Sequence, residues 1–140
     1  MDQTERKHVH VVAAILHRDG LVLATQRGYG EWKDYWEFPG GKVEAGETEE
    51  QAIVREIREE LMLPIRVEKR LCMVEYDYEA FHLSMQCFLC APEGEMHLLE
   101  HEDARWLPLD RLQAVEWLPA DETILPQLLE WISGAEKRPD

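Results

Sequence analysis

Apolar positions along the chain recur with two periods, and the periods separate strands from helices. Residues His8 to His17 are rich in Val, Ile and Ala and predict a buried strand. Asp19-Gly20 is a hairpin turn signal, so Leu21 to Thr25 is predicted to return beside it. Ile65 to Tyr78 alternates in patches and predicts a long strand paired with Phe81 to Cys90. In that second strand Phe81, Leu83, Met85, Cys87 and Leu89 face one way, and His82, Ser84, Gln86, Phe88 and Cys90 the other, with both sides partly buried. Asp103 to Leu107 predicts a further short strand, and Pro108 to Ala114 a short helix opened by proline.

Two segments carry the helical period instead. Thr48 with Gln51 is a capping-box pair, so a helix is predicted from about Glu49 to Leu61, ahead of Pro64. Its apolar stripe is Ile53, Val54, Ile57 and Leu61. The last element begins at Pro119-Ala120-Asp121 and has a body from Thr123 to Ile132, with Ile124, Leu128, Leu129 and Ile132 on one stripe. Pro126 predicts an irregular start. Gly28 to Asp34 reads as a loop, and the tail Glu136 to Asp140 is expected to be mobile. Strands on both sides of a central helix, with another helix at the end, predict an α/β fold with a mixed β-sheet between helices.

Composition narrows the function classes. The 140 residues suit one domain, residues 1–140, with an ordered core of about 8–133. No stretch of 18 apolar residues occurs and the N-terminus lacks a signal-peptide core, so a cytoplasmic chain without a membrane partner is expected. A net charge of −14 repels nucleic acid polymers and anionic membranes. Cys72, Cys87 and Cys90 make no disulfide framework, and Cys87 and Cys90 point to opposite faces of a strand, which disfavours a redox or zinc pair. His8 and His10 share a strand face, but no third ligand is evident, and they read as ordinary strand residues.

The candidate chemistry sits on the first helix. Glu56, Glu59 and Glu60 fall within one sector beside the apolar stripe. Like charges so spaced destabilise a helix by roughly 0.2 to 0.5 kcal/mol per pair, which calls for a compensating cation. Hard divalent metals take oxygen ligands, and Mg²⁺ is typically held by a few carboxylates together with substrate phosphates. A polyphosphate substrate also needs local cations on so acidic a chain, and Arg27, Lys33, Lys42 and Arg55 are candidates. The glycines at Gly40 and Gly41, directly before the helix, are expected to supply backbone freedom near a ligand.

The longer order, Gly41, Glu47, then Arg55-Glu56-Ile57-Arg58-Glu59-Glu60, resembles the Nudix box of the Nudix hydrolases. At ordinary residue frequencies its six fixed Gly, Glu and Arg positions coincide by chance on the order of once in 10⁷ starts. Met62 stands where the family usually has Gly; in a left-handed C-cap it costs on the order of 1 kcal/mol. The resemblance extends to Arg27, to Tyr35-Trp36-Glu37-Phe38-Pro39, to Trp106 and to Leu118-Pro119-Ala120-Asp121. These are similar to the MutT-like branch, with the nearest pattern that of the CTP pyrophosphohydrolases.

That resemblance implies an α/β/α sandwich and Mg²⁺-dependent hydrolysis, with Mn²⁺ as a substitute, of a nucleoside triphosphate to monophosphate and pyrophosphate. The partner it implies is a small nucleotide. Whether the chain is a monomer or a homodimer is left open. Carried over by position, Glu56 and Glu60 are expected as metal ligands with the Gly40 carbonyl, and Glu59 as a further one, directly or through water. Glu47 is expected behind them, with Arg55 orienting the carboxylates. The general base is expected to be Glu56 or a loop acid, Glu100 ahead of Glu102.

Arg27, Phe38 and Asp121 are the expected substrate contacts, with Trp36 an alternative to Phe38 for stacking on the base. MutT-like enzymes that cleave oxidised dGTP typically have Asn at the position of Asp121. An ionised Asp only accepts, which suits the N4 amino group of cytosine, and a protonated one also donates to N3. The competing role for Asp121 is a helix cap. Alternatives to a cytidine-type substrate are an 8-oxo-dGTP diphosphatase, a hydrolase of nucleotide sugars or dinucleoside polyphosphates, and a non-catalytic nucleotide-binding Nudix domain.

Overall fold

The computed structural model describes residues 7–97 and 103–136, with side chains as far as residue 132. Its centre is β1 (Lys7–Arg18), which is bonded along one side to β6 (Phe81–Pro92) and along the other to β4 (Gly40–Lys42) and β2 (Leu21–Gln26). The β1·β6 pairing is parallel, and the remaining strand ladders are antiparallel. β5 (Ile65–Asp77) closes the β6 edge, while β3 (Trp36–Glu37) and β7 (Asp103–Pro108) pair with β2. The result is the expected mixed sheet of seven strands.

Alternation along β1 sends its side chains into two cores. Ala13 and Ile15 join a cluster with Leu112, Trp117, Leu128 and Ile132, whereas Val12, Ala14 and Leu16 join Ile53, Ile57 and Leu61 of helix α1 (Glu49–Leu61). Helices thus cover both faces. The same alternation puts Cys87 in the first cluster and Cys90 in the second, both buried. At the hairpin, Asp19 and Gly20 both have positive φ, 55° and 78°, the geometry of a two-residue turn matched to strand twist.

Two details differ from expectation. Trp36–Glu37 and Gly40–Lys42 are short strands; two or three residues carry too little periodicity to read in sequence. The short helix expected at Pro108 to Ala114 is present as a 3-10 helix at Leu109–Ala114, and the last element splits into α2 (Pro119–Glu122) and α3 (Leu125–Glu136). Because α3 starts after Ile124, its buried face is Leu125, Leu128 and Ile132, and Leu129 turns outward at 59% exposure. Residues 137–140 of the expected mobile tail lie outside the described residues.

Candidate active site

A cavity of 680 Å³ runs from α1 to the start of α2, within the usual range for small-molecule sites. One end is acidic and open to solvent. The Thr48 hydroxyl accepts from the Gln51 N–H at 3.0 Å, and the Gln51 side chain accepts from the Thr48 N–H at 2.9 Å. This cap sets where the helix starts, so the apolar stripe packs on the sheet and Glu56, Glu59 and Glu60 line the cavity.

Arg55 is the hub of that end. Its guanidinium donates to Glu47 at 2.6 and 3.0 Å, to Glu56 at 3.0 Å, to Glu59 at 3.1 Å and to the Lys42 carbonyl at 2.9 Å. The bond from Arg55 holds Glu47 below the usual carboxylate range. Burial pushes Glu56 the other way, against the pull of the same arginine. Gly40 and Gly41 owe their identity to room rather than to backbone freedom, since neither has positive φ. A Cβ on Gly41 would lie 2.3 Å from the Glu56 carboxylate, and one on Gly40 would lie 1.9 Å from the Val12 carbonyl oxygen.

The other end is buried. Asp121 is 4% exposed, and its carboxyl accepts from the Phe38 N–H at 3.0 Å. Glu37 accepts from Arg27 at 3.1 Å on the same wall. Burial, reinforced by the nearby Glu37 charge, pushes the Asp121 carboxyl up to about 8. Burial also raises Glu37, although Arg27 opposes it. The N-cap position of α2 is held by Leu118 rather than by Asp121, whose carboxyl ties α2 to the chain ahead of β4. Tyr78 accepts from the Ala120 N–H at 3.0 Å, a second tie on the same turn.

The structure therefore brings Arg27, Phe38, Gly40, Glu56, Glu59, Glu60 and Asp121 around one cavity, with Glu47 and Arg55 behind its acidic end. Phe38 lines the cavity but also packs against Trp117, with ring centres 4.6 Å apart. Trp36 is buried beneath the Arg105 guanidinium, off the cavity. Lys33 is also away from it and pairs with Asp34 at 3.2 Å. Glu100 and Glu102 lie outside the described residues.

Lining residues that sequence reasoning passed over include Lys7, Glu37 and Tyr78. Lys7 was within reach: it shares the face of Val9 and Val11 one alternation back along β1. Glu37 falls within the family-like run Tyr35 to Pro39, but a two-residue strand carries no period that would set the direction of its side chain.

Among the described residues the acidic end presents the carboxylate oxygens of Glu56, Glu59 and Glu60, a donor set that suits a hard divalent cation. Gly41 leaves the Glu56 carboxylate the space that any side chain would fill.

The NUDIX domain family matches residues 6–131. The chain is 32% identical over 121 residues to the CTP pyrophosphohydrolase of Escherichia coli K12, covering 85% of this chain and 90% of that enzyme. It is 37% identical over 119 residues to the 8-oxo-dGTP diphosphatase of the same bacterium, covering 84% and 92%. Its structure matches that of a MutT NUDIX hydrolase from Burkholderia pseudomallei with a TM-score of 0.80 at 31% identity, over 86% of this chain and 98% of the other.

Proposed function

The chain belongs to the Nudix family, and from that premise we propose that it hydrolyses a nucleoside triphosphate to the monophosphate and pyrophosphate, favouring CTP, dCTP or modified cytidine nucleotides. It is a Nudix pyrophosphohydrolase by kinship; the base preference and residue roles are our reading. The observation that carries the reading is the division of one cavity into an acidic end and a buried end holding Asp121.

Family members use a divalent metal, here Mg²⁺ with Mn²⁺ as a substitute. Glu56, Glu60 and the Gly40 carbonyl would hold it, with Glu59 as a further ligand. When bound, the cation supplies charge neutralisation to the phosphate chain and Lewis-acid activation of water. Arg55 keeps Glu56 and Glu59 aimed through its donated bonds, and Glu47 keeps Arg55 in place. Lys7 and Lys42 add positive charge along the cavity wall for the phosphates. The proton of the attacking water would pass to Glu56 or to Glu100, and E100Q distinguishes the two: a loss comparable to that of E56Q assigns it to Glu100, and near-parent turnover assigns it to Glu56.

At the buried end a protonated Asp121 offers an O–H to cytosine N3 and a remaining lone pair to the N4 amino group. Arg27, already braced by Glu37, lines the route to that end. The same neutral carboxyl also resembles an amide in its donor and acceptor set, and with the 37% identical relative this favours 8-oxo-dGTP as a second reading.

A substrate panel tests both. With Mg²⁺, the chain is given CTP, dCTP, 5-methyl-dCTP, 5-hydroxy-dCTP, dGTP, 8-oxo-dGTP and ADP-ribose, with pyrophosphate and orthophosphate scored separately. Pyrophosphate release strongest from the cytidine nucleotides is expected. A dominant 8-oxo-dGTP activity would transfer the assignment to the second reading.

A further inference from the structure

On the sheet face opposite the cavity, His8, Glu75 and His82 come from three different strands and converge. The parallel register sets His8 beside His82, and the antiparallel register sets Glu75 opposite Ser84 and Asp77 opposite His82. One ligand atom from each of His8, Glu75 and His82 lies within 4.8 Å of the other two. Glu75 Oε1 accepts from His82 Nε2 at 2.7 Å and from the Ser84 hydroxyl at 2.6 Å. With its only proton given to Glu75, the Ser84 oxygen accepts from His8 Nε2 at 2.7 Å. The same three ligand groups thus already point at a common centre.

From this geometry we infer that His8, Glu75 and His82 form a second metal site, selective for a zinc-class divalent cation and separate from the acidic end of the cavity. Two imidazoles and one carboxylate are a donor set for Zn²⁺ and its neighbours rather than for Mg²⁺. Tetrahedral Zn²⁺ with bonds of about 2.0 to 2.2 Å needs its ligand atoms roughly 3.3 Å apart. The His82–Glu75 contact opens slightly to reach that spacing, and His8 moves in. These are rotations of exposed or half-buried side chains at the sheet surface.

His82 also has the outer partner that a ligating histidine uses. Asp77 faces its Nδ1 at 2.7 Å, which holds that nitrogen protonated and leaves Nε2 for the metal. Carboxylates thus face both ring nitrogens of His82, Asp77 at Nδ1 and Glu75 at Nε2, an arrangement that favours a cation shared between Nε2 and Glu75. Three protein ligands leave a fourth position to water. The site ties together the start of β1, the end of β5 and the start of β6, whose other face supplies Val9, Phe81 and Leu83 to the cavity wall.

The test uses the full chain, free of any histidine tag and stripped of metal, in excess Mg²⁺ to occupy oxygen-only sites. Co²⁺ is titrated and followed by its d–d absorption, and Zn²⁺ by calorimetry. One equivalent of tetrahedral Co²⁺ is expected, with affinity reduced by roughly tenfold or more in each of H8A and H82A, and by about 10-fold to 100-fold in D77N. E56Q is expected to retain the site. Affinity in H8A and H82A equal to that of the parent chain, or no Co²⁺ bound against Mg²⁺, overturns the assignment.

Discussion

Each end of the cavity sets one arginine among carboxylates, and the outcomes are opposite. Arg55 serves Glu47, Glu56 and the exposed Glu59 near the mouth of the cavity, where it holds Glu47 below the usual carboxylate range and opposes the burial that raises Glu56. Arg27 stands beside Glu37 and Asp121 in a buried corner, where burial outweighs it and pushes Asp121 up to about 8. Desolvation grows steeply with depth while the pull of one guanidinium does not. The first cluster is therefore suited to gathering cations, and the second to presenting a neutral hydrogen-bonding acid.

The strongest way to break this division is at Glu56. E56Q keeps the shape and removes the charge, and kcat is expected to fall by roughly 10³-fold, about 4 kcal/mol of transition-state stabilisation. Steady-state kinetics with a matched thermal melt measures it, and near-parent turnover would refute the acidic end as the metal site. The neighbouring glycines sharpen the point because their added Cβ atoms would meet different things. In G41A the methyl meets the end of the Glu56 side chain, so activity is expected to drop about 10-fold to 100-fold with little change in stability. In G40A it meets the backbone of Val12 and Ala13, so the β1·β4 ladder and the melting temperature are expected to suffer first.

At the buried end the expected effects are smaller. D121N preserves an acceptor for the Phe38 N–H and replaces the carboxyl by an amide. We expect the ratio of kcat/KM for CTP over 8-oxo-dGTP to fall by about tenfold, near 1.4 kcal/mol. An unchanged ratio would remove Asp121 from base recognition. The same variant has a pH signature. In the fold Asp121 keeps its proton up to about 8, against an ordinary value of 3.8, so the unfolded chain binds fewer protons between those limits. Its contribution to stability is thus complete below about 4 and is lost as pH rises through about 8. Urea midpoints measured from pH 4 to 8 should decline less steeply in D121N than in the parent.

The two ends were also unequally legible in sequence. The acidic end comes from residues 40–60, where a capping box, an apolar stripe and a carboxylate sector share one helix, and local periodicity is enough to relate them. The buried end joins Arg27, Glu37, Phe38 and Asp121, which meet only because β2 pairs with β3 and Asp121 reaches across to Phe38. Asp121 itself was found through family likeness, but its neutral state follows from burial, which composition does not carry. The sheet pairing, likewise, hid the neighbours of His8 on β5 and β6.

Met62 gives the smallest expected effect, at the boundary where local rules alone should suffice. It caps α1 in the left-handed conformation, φ 50° and ψ 37°, and its N–H donates to the Arg58 carbonyl at 2.9 Å. Its side chain is 55% exposed, so little packing offsets the strain. Glycine removes a cost of about 1 to 2 kcal/mol in the fold but gives back roughly 0.4 to 1 kcal/mol through the freer unfolded chain. M62G is therefore expected to gain about 0.5 kcal/mol, a rise of roughly 1 to 3 °C in melting temperature, with kcat unchanged. A loss of stability would mean that the Met62 side chain contributes contacts outweighing its backbone strain. A change in kcat would mean that the end of the helix sets the aim of Glu59 and Glu60, and the acidic end could then no longer be treated as fixed by the capping box and Arg55 alone.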